Sequence, residues 1–233
     1  MLDLRKKVLY ATLVEKGKLG ISLEELAKTS GLSKNIISDI LSRCDSVSID
    51  DKEVVRVLSV SSLLVEAWLD GVNVVEVALR TGWKEFEEFV SEVLGRFGYS
   101  VVRNIRFKAW GRHFQVDVLG ALRPLVLVVD CKRWSRARTY HLKQAALAQA
   151  ARAEAIARYP PSVLRSLTRG WKKPRVVPVV VSLLRGSVKT FEGIPIVPLP
   201  LFPSFLKELP THLDEVLHYE MPGGIRRAPE TEH

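Results

Sequence analysis

The stretch His113–Trp134 constrains the fold more than any other part of the chain. Its first half alternates apolar and polar residues, which predicts a strand with one buried face. Its second half opens with an unbroken apolar run at residues 125–129, which is typical of a strand buried on both faces. Gly120 and Pro124 bracket the turn between the two halves. The stretch therefore predicts a buried β-hairpin.

Charged side chains converge at one end of this hairpin. If the turn is centred near Pro124, an antiparallel ladder puts Asp117 opposite Asp130, and Lys132 shares a face with Asp130 because the two lie two residues apart. Adjacent buried carboxylates are costly and repel unless a cation intervenes. Mg²⁺ suits such a pair, since it takes one or two carboxylates and keeps waters for phosphate oxygens. The alternative is a solvated ion pair at the strand end, with Asp117 an ordinary edge acid.

A family resemblance rests on these same residues. The pattern Asp117…Asp130-Cys131-Lys132 resembles the PD-(D/E)XK nuclease signature, and its continuation Arg133-Trp134 is similar to the motif of Mrr-type restriction endonucleases. Archaeal Holliday-junction resolvases resemble it more distantly. The similarity covers approximately residues 80–205.

Two flanking helices extend the resemblance. Residues 83–89, through to 97–99, resemble the first helix of the family, whose Phe-Glu pair carries a carboxylate that here is Glu87. Gln144 falls where Mrr-like enzymes often carry a helix glutamine. Two positions depart from the pattern: Val116 replaces the proline of the motif, and Asp130 fills a position more often held by Glu.

The resemblance implies an α/β fold and a DNA endonuclease that depends on Mg²⁺ or Mn²⁺ and acts in DNA repair, recombination or restriction. It implies that Asp117, Asp130 and the backbone carbonyl of Cys131 hold the metal ion, and that Lys132 orients or activates the attacking water. Glu87 would add an outer-sphere or second-metal contact. Gln144 would orient the phosphate or Lys132.

Helical periodicity alone leaves the helix carboxylate undecided. Six apolar residues between Phe86 and Phe97 define the buried stripe, and at about 100° per residue Glu85 and Glu87 lie on its two borders. Glu88 points about 200° away and is expected to be solvated. The Phe-Glu resemblance and the distance to Phe97-Gly98-Tyr99 favour Glu87. A solvated acidic face at a helix N-terminus would fit all three residues.

The distribution of charge points to an anionic partner, most simply DNA. The 233-residue chain has a formal net charge of +9, yet residues 1–70 hold 10 basic and 11 acidic side chains, so the excess lies beyond them. Next to the proposed metal site the basic side chains form a cluster that we expect to track phosphates, although a solvated face is the alternative. Its members are Arg133, Arg136, Arg138 and Lys143.

The first 60 residues predict a winged helix-turn-helix domain. Ser22 and Ser33 are expected to cap two helices separated by Gly31, and residues 47–49 and 54–58 resemble a two-stranded wing. On the recognition helix only Lys34 is a firm positive charge, whereas phosphate contacts usually need several. Specific DNA reading and a structural or dimerising role therefore both stay open.

The rest of the chain predicts further elements. Residues 61–80 are expected to form a helical linker with caps at Ser61 and Asn73, followed by a restriction-endonuclease-like domain at 81–220 and a frayed tail at 221–233. That domain should have a central mixed sheet. Its strand at 175–184 should be broken by Pro178, and its proline-containing strand at 194–199 should lie at an edge.

Partners and location follow from the same features. Cutting both strands of a duplex calls for two active sites, so a homodimer is expected, with a further protein partner left open. No stretch reaches the ~18 apolar residues of a membrane span, which favours a cytoplasmic protein with no membrane contact. The rival functions are a catalytically inactive nuclease-fold module that binds DNA or a partner, and a winged-helix transcription regulator.

Overall fold

A computed structural model describes residues 2–133, 139–183 and 189–222 of the chain. The chain divides into two compact units, residues 1–93 and 94–233. The division falls inside the helix Trp83–Arg96, so this helix contributes residues to both units. The sequence had suggested a boundary near residue 81, at the start of that helix.

The first unit combines short helices with a small antiparallel sheet whose strand order is β1-β3-β2. In chain order its elements are α1 (Leu2–Lys16), β1 (Ile21–Ser22), α2 (Leu23–Ser30), α3 (Lys34–Leu41), β2 (Val47–Ile49), β3 (Val54–Val57), α4 (Val60–Leu69), α5 (Val74–Ala78) and the larger part of α6 (Trp83–Arg96). Helices α1, α2 and α3 and strands β2 and β3 lie where the sequence predicts three helices and a two-stranded wing. Strand β1 was missed, because two residues are too few to form a pattern.

Capping side chains set the helix ends of this unit. The Ser22 hydroxyl accepts a hydrogen bond from the N–H of Glu25 at 3.1 Å, and Gly31 ends α2 in the left-handed region at φ 70°. These two predictions are confirmed. The predicted cap at Ser61 is wrong: Ser59 caps α4, and the Ser61 hydroxyl instead donates to Glu92 at 2.6 Å.

The second unit contains a seven-stranded mixed sheet with helices. Its elements are β4 (Ser100–Ala109), β5 (Arg112–Leu122), β6 (Leu125–Lys132), α7 (Thr139–Arg158), α8 (Ser162–Leu167), β7 (Arg175–Ser182), β8 (Thr190–Phe191), β9 (Ile194–Pro198), α9 (Phe202–Glu208) and β10 (Tyr219–Glu220). The strand order is β4-β5-β6-β7-β9-β8, and β10 pairs with β7. Strands β4 to β6 are antiparallel neighbours, whereas β6, β7 and β9 run parallel. A mixed sheet in an α/β fold is therefore confirmed.

The predicted hairpin is β5–β6. Its register runs from Leu122 opposite Leu125 to Val118 opposite Val129, so the turn holds only Arg123 and Pro124. Gly120 does not bracket the turn but lies inside β5. Space for a side chain is tight there, because a Cβ atom would lie 3.2 Å from Tyr99 Cδ1 and 3.3 Å from Leu94 Cδ1, so these neighbours would have to shift.

Strand β7 is not broken at Pro178, contrary to the prediction. The N–H of Arg175 donates to the carbonyl of Pro124, the residue just before β6, so the backbone nitrogen of Arg175 faces β6. Backbone nitrogens along a strand face alternate neighbours. The nitrogen of Pro178, three residues later, therefore faces away from β6. On that other side β10 pairs only as far as Val176, and β9 pairs only from Val180. The ladder therefore needs no N–H from Pro178.

Strand β9 is not at the edge of the sheet, which also differs from the prediction. It lies between β7 and the two-residue strand β8, with Pro195 opposite Thr190. The sequence could not reveal this, since β8 is too short to be recognised.

Helix α7 covers one face of the central strands and contributes side chains to the core of the second unit. Ala153 and Ile156 of α7 pack with Val126 and Val128 of β6 and with Leu164 of α8. Among the described residues, no helix has both the length and the apolar character needed to cross a membrane.

We predict that Gly120→Ala lowers the free energy of unfolding by about 1–3 kcal/mol, because the added methyl group must displace Tyr99 or Leu94 from a filled core. Gly95→Ala is the matched control: no atom lies within 4 Å of a Cβ there, and alanine favours the helix by up to about 1 kcal/mol. Urea denaturation measures both. Equal stability of the two variants would contradict the packing of Tyr99 over Gly120.

Candidate active site

The site begins where the β5–β6 ladder ends. One step beyond the pair Val118–Val129 stand Asp117 and Asp130, as the sequence predicts. Asp117 is half-buried, and its Oδ2 accepts a hydrogen bond from the backbone N–H of Cys131 at 2.9 Å. This bond ties the side chain of one strand to the main chain of the other and thereby fixes the position of Asp117.

Asp130 is buried, with 3% of its surface exposed. The Lys132 ammonium lies 3.0 Å from Asp130 Oδ1 and 2.9 Å from Oδ2. The first of these contacts is a directed hydrogen bond, whereas the approach to Oδ2 is ionic only. Lys132 and Asp130 thus share a face as predicted, but their pair is a buried carboxylate with a partly exposed ammonium rather than a solvated ion pair at a strand end.

Helix α7 adds two residues that the sequence analysis missed. Arg152 Nη1 donates to Asp130 Oδ1 at 3.3 Å and to Gln149 Oε1 at 3.1 Å. The fully buried amide of Gln149 donates in turn to the backbone carbonyl of Val128. The Asp130 carboxylate therefore lies between cations from the end of β6 and from α7.

Gln144, the predicted helix glutamine, is exposed on α7 and does not join this group. The reason is helical phase, since the buried face of α7 carries Leu142, Ala145, Ala146 and Gln149. Gln149 lies five residues beyond Gln144, about 140° further round the helix. A polar residue within an otherwise apolar helical stripe was the signal that could have identified Gln149.

The charge state of Asp130 reflects opposing effects. Burial raises the pKa of its carboxyl group above the usual value, and the Asp117 carboxylate adds a smaller rise. Lys132 and Arg152 act in the opposite direction without cancelling the effect of burial. The folded protein therefore holds Asp130 in a place where its ionised form is disfavoured relative to water.

The donor set fits a hard divalent cation. Asp130 Oδ2 is buried and receives no directed hydrogen bond from the described residues, and Asp117 and the Cys131 carbonyl add oxygen donors nearby along the strands. Within the described ranges, no group of three or more His, Cys, Asp or Glu side chains could hold a metal ion. A pair of aspartates is compatible with Mg²⁺, which commonly binds through one or two carboxylates and keeps several water ligands.

Glu87 belongs to the first unit. It is 6% exposed, and its carboxylate accepts a hydrogen bond from Trp83 Nε1 one turn earlier in α6. By contrast, Glu85 is half-buried and pairs with Lys18 at 2.9 Å, and Glu88 is half-buried. Of the three glutamates considered from sequence, Glu87 alone is buried.

The predicted basic cluster is described only in part. Arg133 is half-buried directly after β6, and Lys143 is exposed with its ammonium 5.0 Å from the centre of the Phe191 ring. Arg136 and Arg138 lie outside the described residues. Lys34, in the first unit, is exposed and pairs with Glu53 at 2.7 Å.

The second unit is thus a mixed α/β unit with a buried aspartate, a neighbouring aspartate and a lysine at one end of its hairpin. No family model matches the chain, and no curated protein matches it either. Solved structures that are similar include a protein of unknown function, AF1548, with a TM-score of 0.29 and 13% identity over 41% of this chain and 44% of the other.

Two further structures are similar over more of the chain. VC1899 from Vibrio cholerae has a TM-score of 0.34 and 14% identity over 91% of this chain and 55% of its own. Can2 from Sulfobacillus thermosulfidooxidans, in complex with cyclic tetra-adenylate, has a TM-score of 0.27 and 10% identity over 89% and 48%. The chain spans about half the length of these structures. At such scores, none of the three defines the fold family or the function of this chain.

We predict that Asp130→Asn changes stability in a pH-dependent way. Because the pKa of Asp130 is raised in the folded state, its contribution to stability is fully present below the unfolded pKa and is lost as pH rises through the folded pKa. The free energy of unfolding of Asp130→Asn, relative to wild type, should therefore increase as the pH rises above the pKa of an unfolded aspartate, about 3.9. Urea denaturation at several pH values measures this difference.

The control for this prediction is Asp214→Asn, which removes a carboxylate that is 95% exposed. It should show a much flatter pH dependence. If Asp130→Asn instead loses stability steadily toward neutral pH, the ion pairs with Lys132 and Arg152 outweigh burial and the assigned direction is wrong.

Proposed function

We propose that this protein is a metal-dependent DNA endonuclease that hydrolyses phosphodiester bonds. The observation that carries the proposal is the buried Asp130, whose ionised form is disfavoured by burial and yet stands beside Asp117 and Lys132. Folding alone does not require such an arrangement, since apolar residues of similar volume usually fill such a site without loss of stability. Carboxylates whose pKa is shifted by burial and by charged neighbours are concentrated at functional sites.

The residues proposed to hold the metal ion are Asp117, Asp130 and the backbone carbonyl of Cys131. A bound Mg²⁺ or Mn²⁺ would supply Lewis acidity, lowering the pKa of a coordinated water and stabilising charge on the scissile phosphate. The oxygen-only donor set agrees with the preferences of these ions.

The proposed role of Lys132 is to orient or activate the attacking water. Its ammonium contacts both oxygens of Asp130, and its side chain keeps 21% of its surface exposed, so it has access to solvent at the end of β6. Arg152 is proposed as a positioning residue: through Asp130 Oδ1 and Gln149 Oε1 it fixes the carboxylate relative to α7.

DNA is the proposed substrate because of charge as well as resemblance. The basic excess of the chain lies almost wholly beyond residue 70. A basic surface beside paired acids is the arrangement expected for a protein that draws in a phosphate backbone and cuts it.

A second candidate function is a catalytically inactive module that binds DNA or a protein partner. It is favoured by one observation: Lys132 and Arg152 both form ion pairs with Asp130, so a metal ion would compete with two resident cations. A winged-helix regulator has weaker support, because Lys34 is paired with Glu53 and the first 70 residues carry no basic excess.

We predict that wild-type protein nicks or cuts DNA with Mg²⁺ or Mn²⁺ but not with EDTA, and that Asp130→Asn and Lys132→Ala each reduce the rate at least about a hundredfold. Asp214→Asn, at an exposed site of the same unit, should cleave like wild type. A panel of plain, methylated and branched DNAs, analysed on gels with binding measured in parallel, tests this. Cleavage by Asp130→Asn at the wild-type rate would sink the site assignment, and binding without cleavage of any DNA would favour the inactive module.

Glu87 is proposed to be needed for cleavage, as the family resemblance implies, and its burial supports the choice. We predict that Glu87→Gln lowers the cleavage rate at least about tenfold, whereas Glu85→Gln and Glu88→Gln stay within a factor of about two. The same gel assay, with thermal melting as the folding control, measures this. Three active variants would show that the protein uses no helix carboxylate.

We also propose a homodimer, because cutting both strands of a duplex calls for two active sites. Exposed leucines of the first unit offer contact surface, among them Leu19, Leu58 and Leu69 at 92%, 68% and 72% exposure. Light scattering should give twice the 26.2 kDa mass of the chain, with Leu69→Lys shifting it toward the monomer. A monomer at micromolar concentration, with and without DNA, would contradict the proposal.

A further inference from the structure

A cavity of about 990 Å³ opens in the second unit, apart from the carboxylates. One wall comes from Phe107 and Lys108 on β4, and another from Arg158 and Tyr159 where α7 ends. The remaining wall comes from α8, from the loop that follows it and from the last described residues of the chain. Its volume lies within the range of small-molecule sites.

The lining of this cavity is basic. Four cationic side chains line it, no Asp or Glu does, and all four are exposed. Arg158 is partly neutralised, since its Nε lies 3.0 Å from Glu154. Lys108, Arg165 and Arg169 make no ion pair with any described residue, so three cations face the opening without a resident anion.

The lining is also aromatic. Phe107, Tyr159 and Trp171 contribute to it. Tyr159 is 48% exposed, yet its ring is held edge-on by Trp110 at a centroid distance of 5.8 Å. Its ring is thus both supported and available to a ligand, and such a ring can stack on a planar group without a large loss of entropy on binding.

We propose that this cavity binds a nucleotide, with the base stacked on Tyr159 or Trp171 and the phosphate held by Arg165 and Arg169. Stacking on aromatic rings combined with a cationic surface is the arrangement by which proteins bind unpaired nucleotides without reading their sequence. A purely apolar ligand would leave the arginines unused, and a simple anion would leave the rings unused. The nucleotide can come from two sources: a free mononucleotide, or an unpaired residue of a DNA strand.

Helix α7 connects this cavity with the carboxylates. Arg152, which contacts Asp130, precedes Arg158 and Tyr159 by six and seven residues, a rise of roughly 10 Å along the helix. The same helix therefore supplies residues to the carboxylate site and to the cavity. Nucleotide binding itself does not rest on the proposed cleavage.

The experiment measures binding to the full chain in EDTA, so that no cleavage interferes. The probes are deoxyadenosine monophosphate, adenosine and inorganic phosphate, titrated by calorimetry, and a fluorescein-labelled single-stranded 12-mer, followed by anisotropy. We expect wild-type protein to bind the mononucleotide more tightly than adenosine or phosphate alone. If none of the four probes binds, the proposal is overturned.

Two sets of variants separate the phosphate and base contacts. Arg165→Gln combined with Arg169→Gln should weaken mononucleotide binding at least about tenfold and leave adenosine binding nearly unchanged. Tyr159→Ala should weaken both at least about fivefold, and Tyr159→Phe should restore them, because the stacking ring returns. All positions are exposed, and thermal melting confirms that each variant is folded.

The matched control is Arg123→Gln, which removes an exposed arginine from the β5–β6 turn, outside the cavity. Equal weakening by this variant would show only a general charge effect and would overturn the proposal. Tight binding of the mononucleotide would identify a free nucleotide as the source. If the mononucleotide binds only weakly while the 12-mer binds well, and the cavity variants weaken binding of the 12-mer, the source is a DNA strand. If wild-type protein binds nucleotide in this cavity but cleaves no DNA, only the proposed nuclease function would be refuted.

Discussion

The second unit depends on one buried charge, the Asp130 carboxylate. A charge taken out of water must be compensated, and here Lys132 compensates it from the same strand and Arg152 from α7. The compensation is incomplete, because burial still raises the pKa of Asp130. The two cations hold the carboxylate in one orientation. Because its ionised form is still disfavoured by burial, the binding of a further cation would stabilise it. Functional sites commonly lower the stability of a protein in this way.

The network that holds Asp130 also organises the helix above it. Gln149 bonds to the main chain of β6, and Arg152 bonds to both Gln149 and Asp130. These polar contacts fix the rotation of α7 about its axis, while the apolar contacts of Ala153 and Ile156 set its distance from the sheet. The same helix ends at Tyr159 in the wall of the basic cavity. One rigid element thus sets the spacing between the two places proposed to touch a substrate.

How much could be predicted from the sequence varied with the range of the interactions. The hairpin, its register and the caps at Ser22 and Asn73 follow from local patterns, and the structure contains them. Gln144 matches a motif position but is exposed on α7, whereas Gln149 lies within the buried stripe of that helix, so helical phase identifies the buried glutamine and the motif position does not. The effect of Pro178 cannot be predicted from local sequence, because it depends on which strands flank β7, and those strands come from distant parts of the chain.

The strand β10 has a consequence for the order of folding. It pairs with the beginning of β7, more than forty residues earlier in the chain, and Met221 beside it joins the core under α7. The sheet of the second unit is therefore incomplete until nearly all of the described chain has left the ribosome. The first unit also closes over a long separation, since Lys6 of α1 pairs with Asp70, 64 residues later, but every residue of that unit precedes residue 94. The first unit can therefore fold earlier during synthesis than the second.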